Sequence, residues 1–145
     1  MIASSAFPRL TPGNHRITSP PTTDYNCIAW AAADTANWWQ PGRYWPTEAS
    51  AGDYGIGVLA EAFKALGYAP CENDKLEEGF EKVALYGNQP FYSHAARQLS
   101  TGKWTSKLGG SEDIEHDAPE DLAEGIYGPV VQLMKRPAVL VLAES

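Results

Sequence analysis

Residues 91–109, FYSHAARQLSTGKWTSKLG, decide how the second half of the chain is read. FYSHAARQLS and KWTSKLG are short, carry aromatic or β-branched residues, and are bounded by proline or glycine, so each is a candidate strand. STG at 100–102 joins them as a tight hairpin. A three-residue loop with Gly102 in the left-handed conformation pairs Leu99 with Lys103 and Ala96 with Ser106, which puts Ser106 on the same face as His94. A two-residue TG loop pairs Ala96 with Lys107 instead and turns Ser106 away.

Outward from this hairpin, EKVALYG at 81–87 reads as the preceding strand. Asp113–Glu115 reads as a short strand after it, with a helical turn following Pro119. YGPVVQLMKR at 127–136 fits a strand or a helix. Toward the N-terminus the texture is helical. Asp24 to Asn26 offer N-cap chemistry, and the small-residue run Cys27 to Trp39 predicts a first helix, which QPGRYWP at 40–46 ends. Ile56, Leu59, Ala60, Phe63 and Leu66 fall on one face of a second helix over about Asp53–Leu66, closed by Gly67. Residues 1–24, with four prolines, read as an extended arm. The expected architecture is one α+β domain over 1–145, with N-terminal helices packed on a small antiparallel sheet.

The chain has 145 residues, 43% of them hydrophobic and 20% charged, enough for a folded core. Its formal net charge is −7 and no Lys/Arg cluster interrupts the acid, which speaks against nucleic acid and anionic membrane as partners. The acidic segment SEDIEHDAPEDLAE at 111–124 reads as a solvated face. Two cysteines are too few for a disulfide scaffold. The N-terminus lacks the basic and apolar regions of a signal peptide, and the longest apolar run, AVLVLA at 138–143, is far short of a membrane span. The expected address is the cytoplasm, or export without a classical signal.

The chemistry-bearing candidates gather around DYNCIAWA at 24–31. Taken by itself, Cys27 between Asn26 and Ile28 suits a small buried hydrophobe. At the start of a helix and beside an imidazole it suits a nucleophile, because both devices favour the thiolate. His94, on the candidate strand SHAARQL, is the imidazole at hand. Cys71 reads as a loop or packing residue, and His15 as an exposed one. Neither the cysteines nor the histidines have the spacing of a zinc site. No metal or cofactor is expected.

A cysteine at a helix N-terminus facing a histidine on a following antiparallel strand is the arrangement of papain-like hydrolases. The chain resembles an uncharacterised bacterial family marked by YNCIAWA, WW…YWP, HAARQL and WTSKLG…DIEH, associated with a papain-like cysteine-hydrolase fold. It is more distantly similar to the NlpC-type cell-wall peptidases. The resemblance implies Cys27 as nucleophile and His94 as general base. It places a third, imidazole-orienting residue about a dozen positions on, at Ser106. Asp113 ranks equally with Ser106, and His116 comes next. Asn26, Tyr25 and Trp104 are the candidates for oxyanion or substrate contacts, beside the Cys27 amide. The implied activity is a hydrolase or acyl transferase acting on an amide or peptide bond of a protein or peptide, with a bacterial toxin or effector role suggested by fold analogy. The alternatives are a catalytically inactive binding module, such as an immunity or regulatory partner, and a redox-sensing thiol.

Overall fold

The computed structural model describes residues 7–108 and 112–138. Seven strands form one antiparallel sheet: β1 (His15–Ser19), β2 (Ala69–Cys71), β3 (Phe80–Asn88), β4 (Phe91–Gln98), β5 (Trp104–Lys107), β6 (Asp113–His116) and β7 (Val130–Pro137). Their spatial order is β1-β6-β5-β4-β3-β7-β2. Two helices accompany them, α1 (Cys27–Ala31) and α2 (Ile56–Ala65), with a 3-10 turn at Pro119–Leu122.

The sheet is buried on both faces. Val83, Leu85, Ala95 and Met134 point to one side, where Ile28 and Ala31 of α1, Leu59 and Phe63 of α2, and Trp39 pack on them. The alternate residues Ala84, Tyr86 and Ala96, with Trp104 and Ile114, point to the other, where Phe7 and Leu122 close over them. This alternation is the period of two that strand geometry imposes. On α2, Leu59, Ala62 and Phe63 are the buried residues, at the spacing of one helical face.

The helices-on-a-small-sheet, papain-like expectation is therefore corrected: the fold is mainly β, with seven strands and two short helices. The largest single cause lies in the first helix, which ends at Ala31 rather than Trp39. Ala33 adopts a left-handed φ of 64°, and the Asp34 carboxylate then gathers the following turn. It accepts from the Ala36 amide at 2.8 Å, Asn37 Nδ2 at 3.0 Å and Trp39 Nε1 at 2.7 Å. An aspartate that satisfies nearby donors itself removes the incentive to continue a helix. Two strands also arise where none is expected. The arm contributes β1 on β6, and β2 pairs with β7. The 127–136 segment resolves as strand β7. The apolar run at 138–143 lies, beyond Ala138, outside the described residues.

The central hairpin has the three-residue loop. Leu99 N–H donates to Lys103 O at 2.7 Å, and Gly102 has a φ of 94°, a conformation that favours glycine. The pairs Arg97–Thr105 and Gln98–Trp104 follow. The acidic segment is corrected as well: Asp113, Ile114 and His116 are fully buried in β6.

Candidate active site

Asn26 fixes the start of α1. Its side-chain oxygen accepts the Ala29 amide at 3.0 Å and the Trp39 amide at 3.1 Å, while its Nδ2 donates to Trp39 O at 2.8 Å. This is an N-cap with a second function, since it also ties residue 39 back to residue 26. With both ends of its amide so engaged, Asn26 holds Cys27 in place rather than facing a substrate.

Trp30 seats α1 across the seam between β4 and β5. Its Nε1 donates to Thr105 Oγ1 at 2.9 Å, and its carbonyl accepts from Arg97 Nε at 3.2 Å. Arg97–Thr105 is the last paired rung of that seam. One helical turn back from Trp30, Cys27 meets the next level, where Ala95 would face Lys107. Amides two residues apart on a strand point to the same side, so Ala95 N–H points across the seam as Leu99 N–H does. That amide, with those of Ile28 and Cys27, favours the charged form of the Cys27 sulfur. Cys27 is 9% exposed.

Burial dominates the thiol. It pushes the Cys27 pKa up to about 11, against the pull of those amides and of Lys107. Burial outweighs whatever the N-terminus of the five-residue α1 offers, so the low-pKa thiolate expected from the sequence is not favoured in this state.

His94 lies beside Ala95, with its side chain on the opposite face of the sheet. A bulge in β4, where Tyr86 pairs with His94 and Gly87 with Tyr92, leaves Ser93 as an extra residue. Ser93 Oγ donates to Tyr127 O, and the His94 ring stacks flat on Tyr127, with centroids 4.1 Å apart and planes 6° apart. The edge of Tyr86 completes the enclosure at 5.1 Å. His94 is fully buried, and neither ring nitrogen has a hydrogen-bond partner, Cys27 included. Burial pushes its pKa well below the ordinary imidazole value, with His116 adding to the effect.

The candidates for a third residue divide between the two faces. Ser106 lies on the side of His94 and bonds His116 Nε2 at 2.8 Å. His116 Nδ1 is 2.9 Å from Ala118 O. A carbonyl only accepts, so Nδ1 carries the proton and Nε2 accepts from the Ser106 hydroxyl. Asp113 lies on the side of Cys27, fully buried. Its Oδ2 accepts from Tyr25 O–H at 2.7 Å, and its Oδ1 is 3.7 Å from Lys107 Nζ. Tyr25 is thereby engaged, its pKa pushed up to about 12 by burial and then by Asp113. Trp104, 1% exposed, belongs to the second core and does not share the face of Cys27.

Lys107 is the residue that sequence reasoning missed. It is fully buried, with Nζ 4.9 Å from the Tyr25 ring centroid. The available signal was alternation: once Thr105 faces α1, so does Lys107. An aromatic wall adjoins the same face, with Trp45 stacked on Tyr92 at 6.0 Å and edge-on to Trp39 at 6.2 Å. Trp45 also borders an open cleft of about 640 Å³, together with Arg43, Glu48 and Asp53. Among the described residues, no group of three or more His, Cys, Asp or Glu is placed to hold a metal ion. No described helix is long and apolar enough to cross a membrane.

The model of a domain of unknown function, DUF7689, matches residues 16–135, which runs from β1 into β7 and includes every residue of the site. The chain belongs to the DUF7689 family. Comparison with the curated proteins and with the solved structures gives no match. In this DUF7689 chain, then, the site is read from its own chemistry.

Proposed function

We propose that this DUF7689 protein is a thiol-dependent hydrolase or acyl transferase that acts on an amide or peptide bond, with Cys27 as nucleophile and His94 as general base. One observation carries the reading. A fully buried imidazole with both nitrogens unpartnered stands one residue from the backbone amide that meets a cysteine sulfur. Leaving such a group unsatisfied costs about 1–3 kcal/mol, a cost that a reacting partner would relieve.

Both groups start neutral, so the proton moves during attack. The Cys27 S–H proton passes to a His94 ring nitrogen as the sulfur bonds to the carbonyl carbon, and the carbonyl π pair moves onto oxygen. When the tetrahedral intermediate collapses, the C–N bond breaks and His94 returns the proton to the leaving nitrogen. Water or another acceptor then takes the acyl group from sulfur. The amides of Ile28 and Cys27, close to the sulfur, are the donors nearest the developing oxyanion. Because the two side chains lie on opposite faces of β4 in this state, the transfer requires the bulged start of β4 to turn His94 toward Cys27 when substrate binds; a side-chain shift off Tyr127 alone does not bring them together.

Burial also favours a second reading, a binding module in which Cys27 and His94 are packing residues. Acylation by an activated aryl ester, read as intact mass, separates the two. The expected result is one acyl adduct at Cys27, with Cys71 as internal control, absent in Cys27→Ala and slowed about 10²–10⁴-fold in His94→Ala. Equal labelling of Cys27 and Cys71, indifferent to His94, would establish the binding module.

A further inference from the structure

We propose that Lys107 is a positioning residue of this site: its ammonium holds negative charge on the Cys27 sulfur, and Asp113 and Tyr25 hold the ammonium there. The inference deepens the thiol-nucleophile reading and rests on it for its catalytic meaning.

Three observations converge on Lys107. First, the register of β4 and β5 puts it opposite Ala95, at the level where strand pairing stops and the Ala95 amide turns to the sulfur. Cys27 packs in the same core cluster as Ala95, on the face that Lys107 shares. Second, the lysine is fully buried and is fixed from two directions. Asp113 Oδ1 lies 3.7 Å away on β6, and the Tyr25 ring, two residues before Cys27, lies 4.9 Å from Nζ. Tyr25 is itself braced, stacked on Trp30 at 5.3 Å and bonded to Asp113 Oδ2 at 2.7 Å. Third, the Asp113 carboxylate is incompletely matched, because its fully buried Oδ1 has no hydrogen bond. A buried ion pair held just beyond hydrogen-bonding distance is costly as a structural device.

The remaining titratable groups around the sulfur act the other way or not at all. Tyr92 and Tyr127 lie within electrostatic reach of Cys27, and both have their pKa values raised, burial first and Cys27 second. His94 is held neutral. Among the described residues, Lys107 is a cation whose field favours the thiolate. In the reaction it would act twice, on the sulfur as its proton leaves during attack and on the oxyanion formed when the carbonyl π pair moves to oxygen.

The test is the rate of Cys27 carbamidomethylation by iodoacetamide against pH, in the full chain. In that reaction the thiolate displaces iodide, forming S–C and breaking C–I. Loss of an opposite charge that faces a titrating group moves its titration by about one unit or more. Lys107→Met should therefore slow labelling at pH 8 by about tenfold or more and displace the profile to higher pH. Lys107→Arg should recover most of the rate. Lys107→Met alone strands Asp113, so Lys107→Met/Asp113→Asn is measured beside it, with near-ultraviolet circular dichroism to establish folding. The folded double variant should be slowed as well, by less than Lys107→Met alone, because the Asp113 charge that opposes the thiolate is removed with it. Profiles for the folded Lys107 variants that overlay the wild type would overturn the inference. His94→Ala distinguishes its failure from that of the enzyme reading. Acylation lost in His94→Ala alongside unmoved Lys107 profiles leaves the enzyme and removes the lysine. Displaced Lys107 profiles alongside acylation indifferent to His94 leave the lysine as a thiol-tuning group and remove the enzyme.

Discussion

The two imidazoles that the fold buries carry a testable cost of their own. His94 and His116 are both fully buried, and burial lowers the pKa of each. In the unfolded chain both would titrate near 6.5. Below that pH the unfolded state binds protons that the folded state refuses, so stability declines as pH falls from about 6.5 toward the folded values. Above that range these two groups contribute no pH dependence. Each can supply up to about 1.4 kcal/mol per pH unit. Urea midpoints at pH 7.5, 6.5 and 5.5 should fall in that order, and His94→Leu should flatten the decline. A stability that is level across this range, or rises on acidification, would show that the histidines are solvated or paired in solution.

At the scale of elements, the β4 bulge decides which residues face which side. Gly87 makes it possible: a Cβ there would lie 2.5 Å from Phe91 O and 3.1 Å from Tyr92 Cα, both backbone atoms that cannot swing aside. Gly87→Ala should destabilise the protein by about 1–3 kcal/mol through overpacking, read from urea unfolding, while an unchanged midpoint would mean that the two strands separate there easily. Much of this region was legible in the sequence. A hairpin at STG follows from local turn chemistry, but that chemistry left two loop lengths open, and the Leu99–Lys103 bond with the left-handed Gly102 selects the one that puts Ser106 on the face of His94. The end of α1 was not legible, because the bonds that close it join Asn26 to Trp39 across 13 positions and run through side chains. Nor was β1, whose short polar sequence becomes a strand only because β6 offers it an edge. Asp113 and His116 look like surface residues until their partners, Lys107 and Ser106, are placed by the register of another strand.

For the whole molecule, the arm is a structural member. Phe7 is 4% exposed in the second core, its ring 5.3 Å from Tyr127, which in turn covers His94. Arg9 pairs with Glu124 nearby. Phe7→Ala should cost about 3–5 kcal/mol, measured by urea unfolding; a loss below about 1 kcal/mol would mean that the arm lies on the fold without supporting it. The pairing of β1 with β6, in which His15 meets His116, has a consequence for biosynthesis. The edge strand leaves the ribosome before its receiving strand, which is translated roughly a hundred residues later. Contacts of such long sequence separation are slow to form. The order of synthesis and the order of assembly therefore run opposite ways, and β1 is docked only after the strands between it and β6 in the chain have been made.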